Sequence, residues 1–270
     1  MNACDLWESQ PINKQLLEGY KVFSTSLLVS PETASRLSCP LYIHLGPNFH
    51  KFAQRVFVVG QETFDRNKKS GWIGNPLTVG NNFSSFVNYT NNQPCREHVM
   101  METQSLWLID HLKSSRSVFH HALKKISRTK NGIDFLNSGF VWDDLVAMDY
   151  RGGSIGKIPK SKKRTEVNAI WKYSQKKFTM EVEIAKPTHI IFLTGETDTY
   201  DECLEWILGL DFKVKDQSSL ILPQNSKIVD EVKCFTWKGI QCYRTLHPRD
   251  MRSKQKTSII DDLASLFELG

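Results

Sequence analysis

Two short apolar runs, each ending in glycine, constrain the fold of this chain more than any other feature. They read Arg55-Val-Phe-Val-Val-Gly60 and His189-Ile-Ile-Phe-Leu-Thr-Gly195. Both are rich in β-branched and aromatic residues and do not alternate with polar ones, which is typical of strands buried on both faces. The two runs therefore predict neighbouring strands of a sheet that is covered on each side.

Helical and strand-like patterns alternate around these runs. Apolar spacing predicts helices over residues 96–113, 119–126, 165–185, 201–208 and 258–269, the last led in by a hydroxyl cap, and strands over 140–148, 228–237 and 240–246. Another helix is expected over 31–37 with Ser30 as its cap, whereas residues 65–94 have no sustained period and predict a long loop. This alternation predicts an α/β protein, a three-layer sandwich with a mostly parallel central sheet.

The domain organisation follows from the absence of repeats and linkers in the sequence. A chain of 270 residues lies within the range of one large α/β domain. We interpret residues 1–270 as a single domain in which residues 1–50 form an N-terminal helical extension.

Composition excludes several classes of protein. Hydrophobic residues make up 40 % and charged residues 24 % of the chain, which argues against global disorder. The apolar runs are too short to cross a bilayer, and residues 1–10 lack the basic and apolar segments of a signal peptide. The six cysteines form no CxxC pair and lie near no histidines at zinc spacing. We therefore expect a cytoplasmic monomer without metal, cofactor or membrane contact.

Basic residues are concentrated in two groups, and the net charge is +6. The first group consists of Lys157, Lys160, Lys162, Lys163 and Arg164. The second surrounds His247 and consists of Arg244, Arg249, Arg252, Lys254 and Lys256. Each group is compatible with a solvated loop, but Lys and Arg beside a site also bind phosphate by displacing counterions.

Polar residues lie within or directly after four of the predicted strands. The segments are Gly60-Gln-Glu-Thr63, Asp143-Asp144, Thr194-Gly-Glu-Thr197 and His247-Pro-Arg249. The carboxyl ends of parallel strands share one rim of the sheet, where sites of α/β proteins lie. Carboxylates orient or deprotonate water, and histidine stabilises developing negative charge, so the set suits hydrolysis of a nucleic acid.

Each of these residues also has an ordinary structural explanation. Gly60 can relieve steric crowding at a strand end, and Glu62 can cap the turn that follows. Asp143 and Asp144 can be common loop carboxylates, and a His-Pro pair is frequent in proteins. The joint appearance of the segments in this order carries the functional interpretation.

Five short motifs resemble the uracil-DNA glycosylase superfamily. They are Val58-Val-Gly60-Gln-Glu-Thr63, Gly71-Trp72, Trp142-Asp-Asp-Leu145, Phe192-Leu-Thr-Gly195 and Leu246-His-Pro248. The chain is most similar to uncharacterised bacterial members with a Gly-Gln-Glu-Thr first motif, over about residues 54–250. The resemblance implies a uracil-DNA glycosylase-like fold and a hydrolase of DNA repair, which excises a flipped base from single-stranded or damaged DNA.

The resemblance also implies roles for individual residues. Glu62 would activate or position water, His247 would stabilise the anionic leaving base, and the backbone of Gln61 would help to hold that base. The flipped base would stack on an aromatic ring, for which the candidates are Phe64, Trp72 and Phe83. DNA-backbone contacts would come from Gly60, Lys157, Lys160, Lys162, Lys163, Arg164, Arg249 and Arg252.

Two residues depart from the family pattern. Asp144 stands where the family has an Asn that reads the base edge, and an ionised Asp only accepts hydrogen bonds. Asp144 would repel O4 of uracil and suit the amino group of cytosine, so we expect a cytosine-like or modified base to be preferred over uracil. Arg249 stands where a small Ser is usual, and it would bind phosphate through its side chain instead.

Two other functions remain open on the sequence. The first is a catalytically silent, nucleic-acid-binding member of the same fold. The second is a nucleotide or sugar-phosphate enzyme on a doubly wound sheet, although the chain has neither GxGxxG nor GxxxxGK[ST]. The closest approach to such a loop is 151–156, Arg-Gly-Gly-Ser-Ile-Gly.

Overall fold

Helices and strands alternate through the computed structural model, which describes residues 10–62, 82–89, 95–114, 117–150, 155, 160–195, 198–209 and 232–267. In chain order the elements are α1 (Pro11–Phe23), α2 (Pro31–Ala34), a 3₁₀ turn (Phe49–Lys51), β1 (Val56–Glu62), α3 (Phe83–Val87), α4 (Arg96–Ser114), α5 (Val118–Ser127), α6 (Gly132–Leu136), β2 (Phe140–Val146), α7 (Lys160–Ala185), β3 (His189–Phe192), α8 (Asp198–Leu208), β4 (Val232–Trp237), β5 (Ile240–Thr245), α9 (Pro248–Ser253) and α10 (Ser258–Ser265).

The strands form a five-stranded sheet in the order β2-β1-β3-β5-β4. β1 pairs in parallel with β3, with Val56 opposite His189, and β3 pairs in parallel with β5, with Ile190 opposite Cys242. β4 is antiparallel to β5, to which it is joined by a turn at Gly239. The sheet is mostly parallel, as the sequence predicts, and the molecule is a mixed α/β protein.

The two apolar runs are confirmed as buried strands. Val56 to Val59 of β1 and Ile190 to Phe192 of β3 have no exposed surface. Burying a branched or aromatic side chain of this size stabilises the fold by roughly 1.5–3 kcal/mol relative to leaving it in water. β1 and β3 therefore form the buried centre of the sheet.

Contacts between residues divide the chain into two compact units. The first unit contains Met1–His44, Glu62–Trp107 and Asp144–Ala185, and the second contains Leu45–Gln61, Leu108–Asp143 and Lys186–Gly270. Each unit is thus assembled from three separate stretches of chain. The interpretation of the whole chain as one domain stays a prediction.

The first unit has a core of tyrosines and buried charges between α1 and α7. The ring of Tyr20 stacks on that of Tyr42 with 3.9 Å between centroids, and the hydroxyls of Tyr42 and Tyr173 are 2.7 Å apart. Tyr20 donates a hydrogen bond of 2.5 Å to Glu181, which also pairs with Lys177 at 2.9 Å. Pairing of this kind is what makes burial of charges tolerable.

The second unit packs α5, α9 and α10 together beside the sheet strands that it contains. α5 contacts both other helices, and Lys125 of α5 lies 2.6 Å from Asp261 of α10. Arg128 at the end of α5 donates a hydrogen bond of 3.0 Å to the backbone oxygen of Ala264. These contacts fix α5 next to the residues that follow β5.

Several predicted element bounds need correction. Residues 65–94 were expected to be a loop, but they contain α3, whose cap Asn82 accepts a hydrogen bond from the backbone nitrogen of Ser85 at 2.9 Å. Five residues are too few to show a helical period in the sequence. The helix capped by Ser30 ends at Ala34, and β2 ends at Val146. α10 ends at Ser265, and the hydroxyl of Thr257 makes no capping hydrogen bond.

None of the helices in the described part of the chain combines the length and the apolar character that crossing a bilayer requires. Within the same residues, no group of three or more His, Cys, Asp and Glu side chains is placed to hold a metal ion. The five cysteines described there are free thiols, namely Cys39, Cys95, Cys203, Cys234 and Cys242.

Candidate functional site

Three predicted site segments meet at the carboxyl ends of β1, β3 and β5 in the second unit. Gln61 is the last residue of β1 that belongs to the second unit. Its Nε2 donates a hydrogen bond of 2.6 Å to the backbone oxygen of Thr194, just after β3. The next residue, Gly195, donates its backbone N–H to the oxygen of Thr245, the last residue of β5, at 3.0 Å. One rim of the sheet thus carries Gln61, Gly195 and the segment that begins at His247.

Gly195 lies at the centre of this rim in a left-handed conformation, with φ of +72°. A Cβ atom at this position would lie 3.4 Å from the backbone nitrogen of His247, 3.5 Å from Gln61 Nε2 and 3.6 Å from Asp250 Oδ2. Glycine is favoured here because it adopts positive φ without steric cost. Polar atoms of Gln61 in β1 and of Asp250 in α9 therefore lie close to the backbone of Gly195.

Arg244 supports the same glycine from inside the protein. This β5 residue is 1 % exposed, and its Nη2 donates a hydrogen bond of 2.7 Å to the oxygen of Gly195. It also forms an ion pair with Asp201 of α8. The sequence grouped Arg244 with the basic residues around His247, but its position within β5 directs it inward. Arg244 is therefore a structural cation and does not contribute to a phosphate-binding surface.

His247 caps α9 and is held in a defined orientation. Its Nδ1 accepts a hydrogen bond of 3.2 Å from the backbone nitrogen of Arg249. Its ring lies nearly parallel to that of Phe119 on α5, with 6.0 Å between the centroids and 14° between the planes. A neutral imidazole that accepts at Nδ1 carries its proton at Nε2. The cap therefore assigns the tautomer of His247.

Burial lowers the pKa of His247 from 6.5 to about 4. The carboxylate of Asp250 raises this pKa and the guanidinium of Arg249 lowers it, but burial is the largest cause. The imidazole is therefore neutral at pH 7. Among the residues that the structure describes, Nε2 of His247 has no hydrogen-bond partner. The site thus offers a neutral, oriented N–H donor.

Three residues at this site were missed by the sequence interpretation. Phe119 and Trp142 form an aromatic wall beside His247, with 5.9 Å between the centroids of the two rings. Phe119 lies within an ordinary amphipathic helix, and no sequence signal separates it from core residues. Asp250 was detectable, because it lies three residues after His247, in the first turn of the helix that His247 caps.

The other predicted site residues fall in several places. Gly60 is buried within β1, and Arg164, Arg249 and Arg252 are exposed. Residues whose side chains lie outside the described part are Glu62, Phe64, Trp72, Lys157, Lys160, Lys162 and Lys163. Asp144 belongs to the first unit and is 4 % exposed, and it lies within β2, which continues to Val146.

Phe83 also belongs to the first unit, where it is 2 % exposed. Its ring packs against those of Phe86 and Tyr173, with 6.0 and 6.3 Å between centroids. The amphipathic turn of α3 directs both phenylalanines inward, so in this structure Phe83 is a core residue and offers no face to a base.

No protein-family model and no curated protein matches this chain. The function of this site must therefore be inferred from the chemistry of its side chains. It combines a neutral imidazole donor, a side-chain amide and a half-buried carboxylate at the ends of parallel strands, which is where α/β proteins bind their ligands.

Proposed function

We propose that this protein is a DNA glycosylase-like hydrolase of the uracil-DNA glycosylase superfamily, which cleaves the N-glycosidic bond of an extruded base. The observation that carries the proposal is the neutral, oriented Nε2–H donor of His247, which lies on the same strand-end rim as Gln61 and Gly195. The resemblance of the sequence motifs to that superfamily supports the same assignment.

The chemistry of the reaction makes such a donor useful. When the bond between the sugar and the base breaks, the electron pair leaves with the base, and an oxocarbenium-like sugar remains. A donor that is already oriented stabilises the anionic base in the transition state without reorganisation. Because burial holds the pKa of His247 near 4, the ring stays neutral at pH 7 and keeps the Nδ1 acceptor that caps α9.

Glu62 is proposed to orient the water that adds to the sugar. It follows Gln61 directly, and the side chain of Gln61 ties this end of β1 to the segment after β3. A carboxylate can orient or deprotonate water, and the resemblance to the superfamily implies this role for Glu62. Gln61 contributes its backbone to base binding, as its side-chain amide is bonded to Thr194.

Exposed arginines next to His247 are proposed to contact the DNA backbone. Arg249 and Arg252 lie on the exposed surface of α9, the helix that His247 caps. Arg side chains recognise phosphate through paired N–H groups. Binding through these residues would weaken as salt concentration rises.

The decisive experiment measures base release and DNA binding separately. Matched oligonucleotides carry uracil, cytosine or a modified cytosine at one position, in single strands and in duplexes. We expect release by the unmodified protein, strongest from the cytosine-like bases if Asp144 reads an amino group. Preference for uracil would contradict the role of Asp144, while it would leave the glycosylase proposal intact.

Two variants separate catalysis from binding. Glu62→Gln is expected to abolish base release and His247→Gln to reduce it by roughly 10²–10³-fold, the usual effect of losing one transition-state donor. Both variants are expected to keep the affinity for DNA. An unmodified protein that binds DNA but releases no base from any oligonucleotide would favour the silent, nucleic-acid-binding alternative. A protein that neither binds nor cleaves DNA would refute both.

A further inference from the structure

The contact between Phe119 and His247 joins two helices of the second unit. Phe119 is the second residue of α5, and His247 caps α9, which packs against α5. The two rings lie 6.0 Å apart at an angle of 14°, a stacked arrangement. Both side chains are half-buried. Phe119 therefore covers one face of the His247 imidazole.

Phe119 is itself held from the other side. Its ring lies 5.9 Å from that of Trp142 on β2, which is 3 % exposed. His120 also contacts Trp142, with 6.5 Å between the ring centroids. Phe119 thus lies between a buried residue of the sheet and the imidazole of His247.

Two constraints determine the orientation of the His247 ring. The hydrogen bond from the Arg249 nitrogen to Nδ1 holds one edge of the ring. The ring of Phe119 lies nearly parallel to the imidazole, with 14° between the planes, and so opposes a tilt of the imidazole toward it. The two contacts together set the direction in which Nε2–H points.

We propose that Phe119 is a positioning residue for His247, which fixes the plane of the imidazole and thereby directs its Nε2–H toward the leaving base. The inference rests on the proposed function for its catalytic meaning. Phe119 touches the imidazole and acts through it, so it is not a catalytic residue. A misplacement of about 1 Å in such a group can lower a rate by on the order of 10²-fold.

Phe119 also contributes to the neutral state of the imidazole by excluding water. Burial is the largest cause of the lowered pKa of His247. The charged groups that act on the ring are Asp250 and Arg249, both on α9, with opposite effects. On the α5 side the neighbouring titratable group is His120, whose ring contacts Trp142. Loss of the phenyl ring would admit water and raise the pKa toward 6.5.

The experiment compares Phe119→Leu, which removes the ring, with Phe119→Tyr, which retains it. His121→Asn is the matched control, because His121 is exposed on the same helix. NMR titration of the imidazole measures the pKa of His247, and His247→Gln identifies its signal. Base release by each protein is then measured against pH.

For Phe119→Leu we expect the pKa of His247 to rise by about one unit or more, which is within the range of pKa shifts that burial causes. We expect kcat to fall more than tenfold with little change in KM, and the acidic limb of the pH profile to move to higher pH. Phe119→Tyr and His121→Asn are expected to match the unmodified protein in all three readouts.

An unchanged pKa and an unchanged pH profile in a folded Phe119→Leu variant would overturn the inference. If that variant does not fold, Phe119→Met provides the same test with an unbranched side chain that fills more of the space. If the unmodified protein releases no base, the proposed function fails, and the NMR titration alone decides whether Phe119 positions the imidazole.

Discussion

Nε2 of Gln61 donates a hydrogen bond of 2.6 Å to the backbone oxygen of Thr194. This bond joins the carboxyl ends of β1 and β3 one step beyond their last backbone bond, in which the nitrogen of Leu193 donates to the oxygen of Val59 at 2.8 Å. It thus extends the pairing of the two strands with a side chain. Gly195 follows Thr194 directly, so this bond lies next to Gly195 on the rim.

The first prediction concerns the chemistry of that bond. Gln61→Met, which is similar in volume but has no donor, should lower the free energy of unfolding by roughly 1–3 kcal/mol, because the Thr194 oxygen loses its partner. Gln61→Glu should cost more at pH 7, since an ionised carboxylate repels the carbonyl oxygen. Repulsion raises the pKa of the new carboxyl, so this variant should regain stability as the pH falls through that raised pKa. Urea unfolding at pH 7 and pH 5 measures both effects.

Gly195 provides a second prediction, for which the chain supplies a matched control. Gly195 and Gly209 both have positive φ, but a Cβ at Gly209 would meet no atom within 4 Å. Alanine at either position should cost about 1–2 kcal/mol, the usual cost of a left-handed conformation. Only Gly195→Ala should also change the NMR signal of His247 and the rate of base release. Equal effects of the two variants on His247 would show that the rim does not depend on Gly195.

Sequence patterns predicted the buried strands and the mostly parallel sheet, because these features depend on the residue types within each short segment. The buried strands were recognisable from Val56–Val59 and Ile190–Phe192, since strands covered on both faces carry unbroken apolar runs. The convergence of Gln61, Gly195 and His247 followed from the rule that parallel strands end at one rim. These inferences need no knowledge of long-range packing.

The remaining features depend on contacts that no local pattern encodes. The inward position of Arg244 follows from its pairing with Asp201 and Gly195, which are distant in the sequence. The role of Phe119 follows from the packing of α5 against α9, because a half-buried aromatic residue on a helix looks the same whether it contacts an imidazole or a leucine. Short helices such as α3 and α6 have too few residues to show a period.

The third prediction concerns the charges around His247. Asp250→Asn should lower the pKa of His247 further, because the carboxylate raises it, and Arg249→Gln should raise the pKa, because the guanidinium lowers it. Both variants keep the backbone nitrogen of residue 249, which donates the hydrogen bond to Nδ1. NMR titration of the imidazole measures these shifts. Shifts in the same direction for both variants would mean that packing of the ring, and not charge, changed.

The same imidazole makes stability depend on pH. Its pKa is about 4 in the folded protein and near 6.5 when unfolded, so the unfolded chain binds more protons between these values. Stability should therefore fall as the pH is lowered from 6.5 to 4. His44, whose pKa burial also lowers to about 4, contributes in the same window. The difference in unfolding free energy between the unmodified protein and His247→Gln isolates the share of His247, which should shrink across this window.

The last prediction concerns the buried ion pair of the first unit. Lys177 and Glu181 are one helical turn apart on α7, with side chains 1 % and 0 % exposed, and Glu181 also accepts the hydroxyl of Tyr20. Lys177→Met should lower the free energy of unfolding by about 3–5 kcal/mol, because Glu181 would remain buried without its cation. Tyr20→Phe, the control, should cost about 1–3 kcal/mol, since it keeps the ion pair but removes the hydroxyl that donates to Glu181 and accepts from the backbone nitrogen of Ile43.

Replacing both charged residues separates the net contribution of the ion pair from the cost of leaving one charge buried without the other. The double variant Lys177→Met with Glu181→Leu removes both charges of the pair, and their desolvation cost disappears with them. It should therefore be more stable than Lys177→Met alone, although the hydroxyl of Tyr20 would lose the carboxylate that accepts its proton. Urea unfolding of the unmodified protein, Lys177→Met, Glu181→Leu and the double variant forms a double-mutant cycle around the pair. A double variant that is less stable than Lys177→Met would contradict the expectation that the carboxylate left without Lys177 causes the loss. A double variant that is less stable than the unmodified protein would show that the pair stabilises the first unit beyond the cost of burying it.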